Sequence, residues 1–327
     1  MKLFRQITKI NPAKLMRNIK LLMATDYNQS IIEIHQKMDD IKGSLKNEIF
    51  RIKVLSYYKE HPESALNFKE ELLFLEQNGD EPIAFPYKQV KKLENIESGY
   101  DKKRRLPYVI HKGKRLYFPK EWNMIQVTKL YKYYIENEGF TGEKHRVKMP
   151  HQYQTESFCV KQGDVVLDIG CCEALFALDV IDVAKKIYLV ECDPCWIDAL
   201  NATFAPYKEK VKIIHKLVSD TDSETSITLP SILTEEQNAS LFIKMDIEGY
   251  ETSVINASKE LLSKAENIRL ACCTYHKEHD AEILSNVFTE LNYKTEFSDG
   301  YILFIYGQEL KAPFFRKAII RAEKNNR

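Results

Sequence analysis

The sequence predicts an α/β fold: a mostly parallel sheet covered by helices on both faces, behind a mainly helical N-terminal segment. Three observations predict it. From residue 160 onward, short runs rich in Val, Ile and Leu alternate with helix-length stretches. Acidic or polar residues stand directly after each of the first five runs. The last two runs are joined by Ser298-Asp299-Gly300, a turn signal between antiparallel strands.

The bulk properties exclude several classes. A chain of 327 residues has room for about two domains. Lys plus Arg is 48 against 47 Asp plus Glu, so no global field favours a nucleic-acid partner. No apolar run approaches the roughly 18 residues of a membrane span. The N-terminus has spaced basic residues but no continuous apolar core, unlike a secretory signal. All seven cysteines lie between Cys159 and Cys273, some in adjacent pairs. That usage suits a reduced, cytoplasmic protein.

Taken in order, the elements divide into three parts. Residues 1–145 read as the mainly helical N-terminal domain. Its first 25 residues carry six Lys or Arg and no acid. This is a solvated helix, or a basic amphipathic segment for an anionic membrane face or a partner. Residues 29–58 repeat Ile34, Met38, Ile41, Leu45, Ile49 and Ile52 at spacings of three and four. That is one long helix, with a homodimer through the N-terminal helices as its sharper reading. Residues 63–76 read as another helix, and Gly79, Pro82 and Pro86 break the pattern. A hairpin is expected at Lys112-Gly113, and a helix ending near Gly139.

Residues 146–307 carry the alternation. Strands are expected at 165–170, 187–192, 211–215, 241–246, 268–274, 292–297 and 301–306. Helices are expected at 173–185, 194–206, 231–238, 250–264 and 278–291. Residues 308–327 read as a basic helical tail, with Phe314, Phe315, Ile319 and Ile320 on an apolar side. It would dock on the N-terminal helices or lie on a membrane.

In an open parallel sheet, ligands collect at the carboxyl ends of the strands. Asp168 and Gly170 follow the first strand and Glu191 ends the second. Ser219-Asp220 follows the third, Asp246 and Glu248 end the fourth, and Tyr275-His276 ends the fifth. An acid placed first would repel a dinucleotide pyrophosphate. S-adenosylmethionine has no phosphate, and its sulfonium, ammonium and ribose all suit acids. Glu191 is then the ribose acceptor, Asp220 reaches the adenine, and Gly170 lets the backbone pass close to the cofactor. D-x-G alone is a weak signal; its weight comes from the acids at the other strand ends.

The segments "VVLDIGCCEALF", "IYLVECDP", "LFIKMDIEGYE" and "ACCTYHKEHDAEIL" resemble the FkbM family of S-adenosylmethionine-dependent methyltransferases. "KMDIEGYE" is close to that family's K-x-D-x-E-G-x-E signature. The resemblance covers about residues 146–307 and implies a Rossmann-like class I methyltransferase sheet and O-methylation, often of sugar or polyketide hydroxyls. The family's first turn usually reads D-x-G-A-N-x-G. Here Cys171, Cys172, Glu173 and Ala174 fill its last four places. If the backbone at Ala174 has negative φ, its extra methyl costs little.

Several residues carry competing readings. Asp246 ends a buried strand, where a carboxylate is costly unless used or paired. It is expected to face the methyl group or the acceptor hydroxyl, against the blander reading of an acid near a helix N-terminus. Glu248 is expected to pair with Lys244 or another base. No complete metal ligand set is legible, so no metal is expected. His276 suits a general base, oriented by Tyr275 or Asp280, with an apparent pKa near 6–7; its blander reading is a capping or surface histidine. His151 and Tyr153 in "PHQYQT" belong to a loop over the methionine end of the cofactor, or to a linker anchored by a buried Tyr. Cys192 and Cys195 form CxxC without a second pair, and Cys272-Cys273 reads as core.

The expected function is methyl transfer from S-adenosylmethionine to a carbohydrate hydroxyl in a small-molecule or glycan acceptor. The site is expected to be cytoplasmic, with peripheral contact at the inner membrane face through the basic termini. The rivals are a methyltransferase for a lipid or secondary metabolite, and a non-catalytic assembly subunit with a degenerate cofactor site.

Overall fold

The computed structural model describes residues 38, 41–78, 84–139, 142–236, 239–305 and 311–325. The basic segment at 1–25 lies outside them. Helix α1 (41–60) is followed by the short α2 (Pro62–Ala65) and by α3 (Lys69–Gln77). α1 buries Phe50, Val54 and Tyr58 against Phe74, Leu75, Leu303, Phe314 and Phe315. Its other face leaves Ile41, Leu45, Ile49 and Ile52 exposed.

Strands β1 (Ser98–Asp101), β2 (Leu106–His111) and β3 (Lys114–Tyr117) form an antiparallel sheet. The turn between β2 and β3 falls at Lys112 and Gly113, both at positive φ. Helix α4 (Met124–Tyr133) opens on a reciprocal capping box between Asn123 and Gln126 and runs on to Glu138. Gly139, at φ 62°, ends it. This region is therefore less helical than its pattern suggested, and it shares a core with the main sheet. Val109, Leu116, Phe118 and Val127 pack in one cluster with Phe176 and Phe204.

The main sheet contains β4 (Val165–Ile169), β5 (Lys186–Val190), β6 (Val211–Ile214), β9 (Leu241–Met245), β10 (Asn267–Cys273), β11 (Lys294–Phe297) and β14 (Ile319–Asn325). Its order is β11-β14-β10-β9-β4-β5-β6. Strands β4, β5, β6, β9 and β10 pair in parallel; β14 lies antiparallel between β10 and β11. Small pairs β7 (Leu217–Val218) with β8 (Ser226–Ile227), and β12 (Ile302–Leu303) with β13 (Phe315–Arg316), stand apart. Alternate residues of each central strand feed two cores. Val166, Phe242 and Ala271 face one; Val165, Leu241 and Ile268 face the other. This is a Rossmann-like α/β fold.

Two expectations about its end are corrected. Strand 292–297 does not form a hairpin with 301–306; its partner is β14, the segment read as a helical tail. Phe314, Phe315, Ile319 and Ile320 are all buried, so their apolar surface is not available to a membrane. The reason is period. In 319–325, Ile320 and Ala322 join one core and Ile319 the other, an alternation that suits a central strand. The paired isoleucines mimicked a helix face. Among the described residues, no helix is long and apolar enough to cross a membrane.

Candidate functional site

The strand order reverses at β4: β5 and β6 extend one way, β9 and β10 the other. Ligands of open α/β sheets bind at such a switch point, outside the carboxyl ends of the strands. A cavity of about 520 Å³ opens there, ample for a small ligand. Asp168, Gly170, Glu191, Asp246, His276 and His151 all line it.

The first turn explains how the cavity is kept open. Gly170 has φ 68°, and a Cβ there would lie 1.9 Å from the backbone oxygen of Asp246. The bare backbone therefore lets β4 and β9 approach. Cys172 and Ala174 also adopt positive φ, 45° and 60°. The condition under which the Ala174 methyl would cost little, a negative φ, is not met, and this turn carries strain that Asn and Gly would relieve. Ala174→Gly should raise stability by about 0.5–1 kcal/mol, the left-handed cost less the entropy of glycine. Urea unfolding would read this, and a destabilised variant would show that the turn accommodates the methyl without strain.

Glu191 holds this turn in shape. Its carboxylate accepts from the backbone N–H of Cys172 (2.9 Å) and of Asp193 (2.8 Å). Glu173 turns into the cavity; burial pushes its carboxyl up to about 8. Its Oε2 is buried without a hydrogen-bond partner among the described residues. A buried acid of this kind favours a cationic or donor ligand.

Lys244 is the residue that sequence reasoning misplaced. It pairs with Asp168 (3.1 Å) and donates to the carbonyl of Gly170 (2.7 Å), not to Glu248, which is solvent-facing. Burial alone would lower the ammonium, but Asp168 and Asp246 outweigh it and hold the charge on. Burial also pushes Asp168 up, with Lys244 opposing. The net state supported by this geometry is an ion pair. The signal was present: a lone lysine inside "LFIKM", a strand buried along its whole length.

Asp246 sits at the centre of a polar ring. Tyr153 donates to it at 2.9 Å and Tyr275 lies at 3.5 Å. His276 Nε2 and His151 Nε2 lie 3.4 and 3.7 Å away. Burial alone would raise the carboxyl, but Lys244, the two histidines and the Tyr153 hydroxyl hold it below its ordinary value. Burial pushes His151 down to about 4, so this imidazole is neutral.

His276 is fixed from behind. Its Nδ1 lies 2.9 Å from Oε1 of Glu251, which is wholly buried and also accepts from the Ile247 N–H. Burial would lower the imidazole, but Glu251 and Asp246 outweigh it and hold it above 6.5. Glu251, rather than Tyr275 or Asp280, is thus the orienting partner; Asp280 instead accepts from Thr252 and the Lys277 N–H.

Two other candidates stand elsewhere. Tyr153 is fully buried behind Asp246 and does not line the cavity. Asp220 is exposed and outside the lining; Lys216, Leu217 and Val218 take that wall instead. Strand β7, which the sequence did not reveal, carries the chain past that wall before Asp220, and β8 returns after it to pair with β7. Among the described residues, two groups bring three metal-capable donors within 4.8 Å: His151, Asp246 and Cys273, and Asp246, Glu251 and His276. The contact of His276 with Glu251 has the spacing of a hydrogen bond.

No protein-family model matches the chain, and no curated protein does. Among solved structures, it is similar to the precorrin-6y C5,15-methyltransferase of Geobacter metallireducens, at 14% identity over 50% of this chain and 82% of that one, with a TM-score of 0.35. It is similar to YcgJ of Bacillus subtilis at 10% identity over 53% and 96%, with a TM-score of 0.36. It is also similar to Sp1610 of Streptococcus pneumoniae, solved with S-adenosyl-L-methionine, at 16% identity over 51% and 70%, with a TM-score of 0.34. The fold assignment rests on the chain's own strand order: five parallel strands, a switch point at β4 and an antiparallel β14 inserted before the edge make this a Rossmann-like α/β protein.

Proposed function

We propose that this chain is an S-adenosylmethionine-dependent methyltransferase of the FkbM kind, acting on a carbohydrate hydroxyl. The observation that carries the reading is the acidic, acceptor-rich lining of the switch-point cavity. Asp168, Glu173 and Glu191 line the turn where a phosphate-binding fold would present bare N–H groups. A sulfonium cofactor fits such a lining, and the partnerless buried oxygen of Glu173 supports it. Bound there, the cofactor would supply an electrophilic methyl group.

The chain's own residues would do the rest. Glu191 offers its carboxylate to ribose hydroxyls while holding the turn. Glu251 keeps the Nδ1 proton of His276, which leaves Nε2 facing the cavity to take the acceptor's proton. Asp246, kept ionised by its ring of donors, steadies the imidazolium that results. Tyr133, Tyr134, Tyr275 and Phe304 line the cavity as well. Their flat apolar faces, with hydroxyls on the three tyrosines, suit a ring that carries hydroxyl groups.

Calorimetry with S-adenosylmethionine and S-adenosylhomocysteine tests the cofactor. Methyl transfer to a panel of free glycans, lipid-linked sugars and nucleotide sugars tests the acceptor. The strained turn at Cys172 and Ala174 favours one rival, a non-catalytic subunit, and absence of binding to either cofactor form would establish it over our reading. Glu191→Ala should weaken binding by about 1.5–3 kcal/mol, the range for hydrogen bonds to a charged group. Unchanged affinity would remove Glu191 from the ribose site. Activity should survive EDTA, because Glu251 Oε1 is already engaged by His276 Nδ1 at 2.9 Å and by the Ile247 N–H. Loss on chelation, restored by magnesium or manganese, would make Asp246 a metal ligand.

A further inference from the structure

Lys244 has no role in the reaction just described, yet it is a buried cation in the wall of the cavity. Its ammonium already occupies the Gly170 carbonyl and the Asp168 carboxylate. Those two acceptors are the ones that the α-ammonium of an amino acid would seek at this turn. A second ammonium brought there would meet Lys244 as a like charge. The opposite end of an amino acid faces the converse problem. Its carboxylate would enter a cavity lined by Glu138, Asp168, Glu173, Glu191, Asp246 and Glu248. It needs a cation. Lys216 also lines the cavity, but its ammonium is turned away to the carbonyls of Ser223 (2.8 Å) and Ser226. Lys244 remains, placed between Asp168 and Asp246 and 5.6 Å above the Tyr153 ring.

We propose that Lys244 binds the α-carboxylate of the cofactor's methionine moiety, with Asp168 serving to hold the lysine in place. The proposal rests on S-adenosylmethionine being the cofactor. It makes Asp168 a positioning residue rather than a direct cofactor contact. The turn would then select ligands by their carboxylate, and the α-ammonium would lie toward Glu173.

The test compares three ligands by calorimetry: S-adenosylmethionine, its decarboxylated form and methylthioadenosine, which lacks the amino acid altogether. Wild-type protein should bind S-adenosylmethionine about 10- to 100-fold more tightly than the decarboxylated form, the worth of a charge-assisted contact. Lys244→Met should lose that ratio, and Lys244→Arg should keep most of it. Melting temperatures of both variants would be recorded alongside. A purely structural ion pair would lower the stability of Lys244→Met and leave the ligand ratio unchanged, which overturns the proposal. Equal binding of the two forms by wild-type protein also overturns it and needs no variant. If wild-type protein binds methylthioadenosine but not S-adenosylmethionine, the carboxylate is repelled and Lys244 is not its ligand. If it binds none of the three, the cofactor reading itself falls, and this proposal with it.

Discussion

Replacing His276 with alanine should lower turnover by about 10²–10⁴-fold, the usual span for losing a general base. Cofactor affinity should hardly change, because the imidazole faces Asp246 and the acceptor side. The geometry sharpens the pH dependence. A base works only when unprotonated, so the rate must fall as pH drops through its pKa. Glu251 and Asp246 hold this imidazole above 6.5, with Glu248 and Tyr275 facing it as well. The acid limb should therefore lie at higher pH than that of an ordinary histidine. Glu251→Gln removes the carboxylate and should move that limb to lower pH, with turnover reduced through poorer orientation. A packing role alone would leave the limb where it was. A His276→Ala variant with near-normal turnover would transfer the proton acceptor to Asp246.

Among the described glycines, Gly170→Ala should be the most disruptive substitution. The new Cβ would lie 1.9 Å from the backbone oxygen of Asp246, at a φ of 68°. Because the obstructing atom is main chain, no rotamer change can clear it. Left-handed strain of about 1–2 kcal/mol adds to an overpacking cost of about 1–3 kcal/mol. The expected loss is about 3 kcal/mol or more, with cofactor binding abolished because β4 and β9 must part. Denaturant unfolding and calorimetry would check both. A variant within about 0.5 kcal/mol of wild type would show that the two strand ends are farther apart in solution.

Much of the site was legible because strand ends are legible. Asp168, Gly170, Glu191, Asp246 and His276 each follow a short apolar run, and a parallel sheet gathers the ends of its strands at one edge. The residues that orient them were harder to place. Glu251 looks like an acid favoured by a helix N-terminus; its contact with His276 spans 25 positions and depends on how the helix Glu251–Ala257 is set against the loop after β10. Lys244 looked free to pair with Glu248, four positions on. Asp168 is its partner because adjacent parallel strands set them side by side, in the register Asp168 to Lys244.

The alternation of strand and helix, the run of acids at strand ends and the turn chemistry of Asp168-x-Gly170 were determined by sequence alone, because hydrophobic period and φ preference act over a few residues. Long-range pairing decided the rest. The C-terminal segment became β14, in the interior of the sheet, because residues 319–325 satisfy the open hydrogen-bonding edges of both β10 and β11. No local pattern encodes an edge left vacant by strands distant in the chain. The positive φ of Cys172 and Ala174 belongs to a turn held by Glu191, 19 positions on from Cys172. Burial of the ring around Asp246, and the charge states that follow from it, came only when three separate segments, 151–153, 244–251 and 275–276, met.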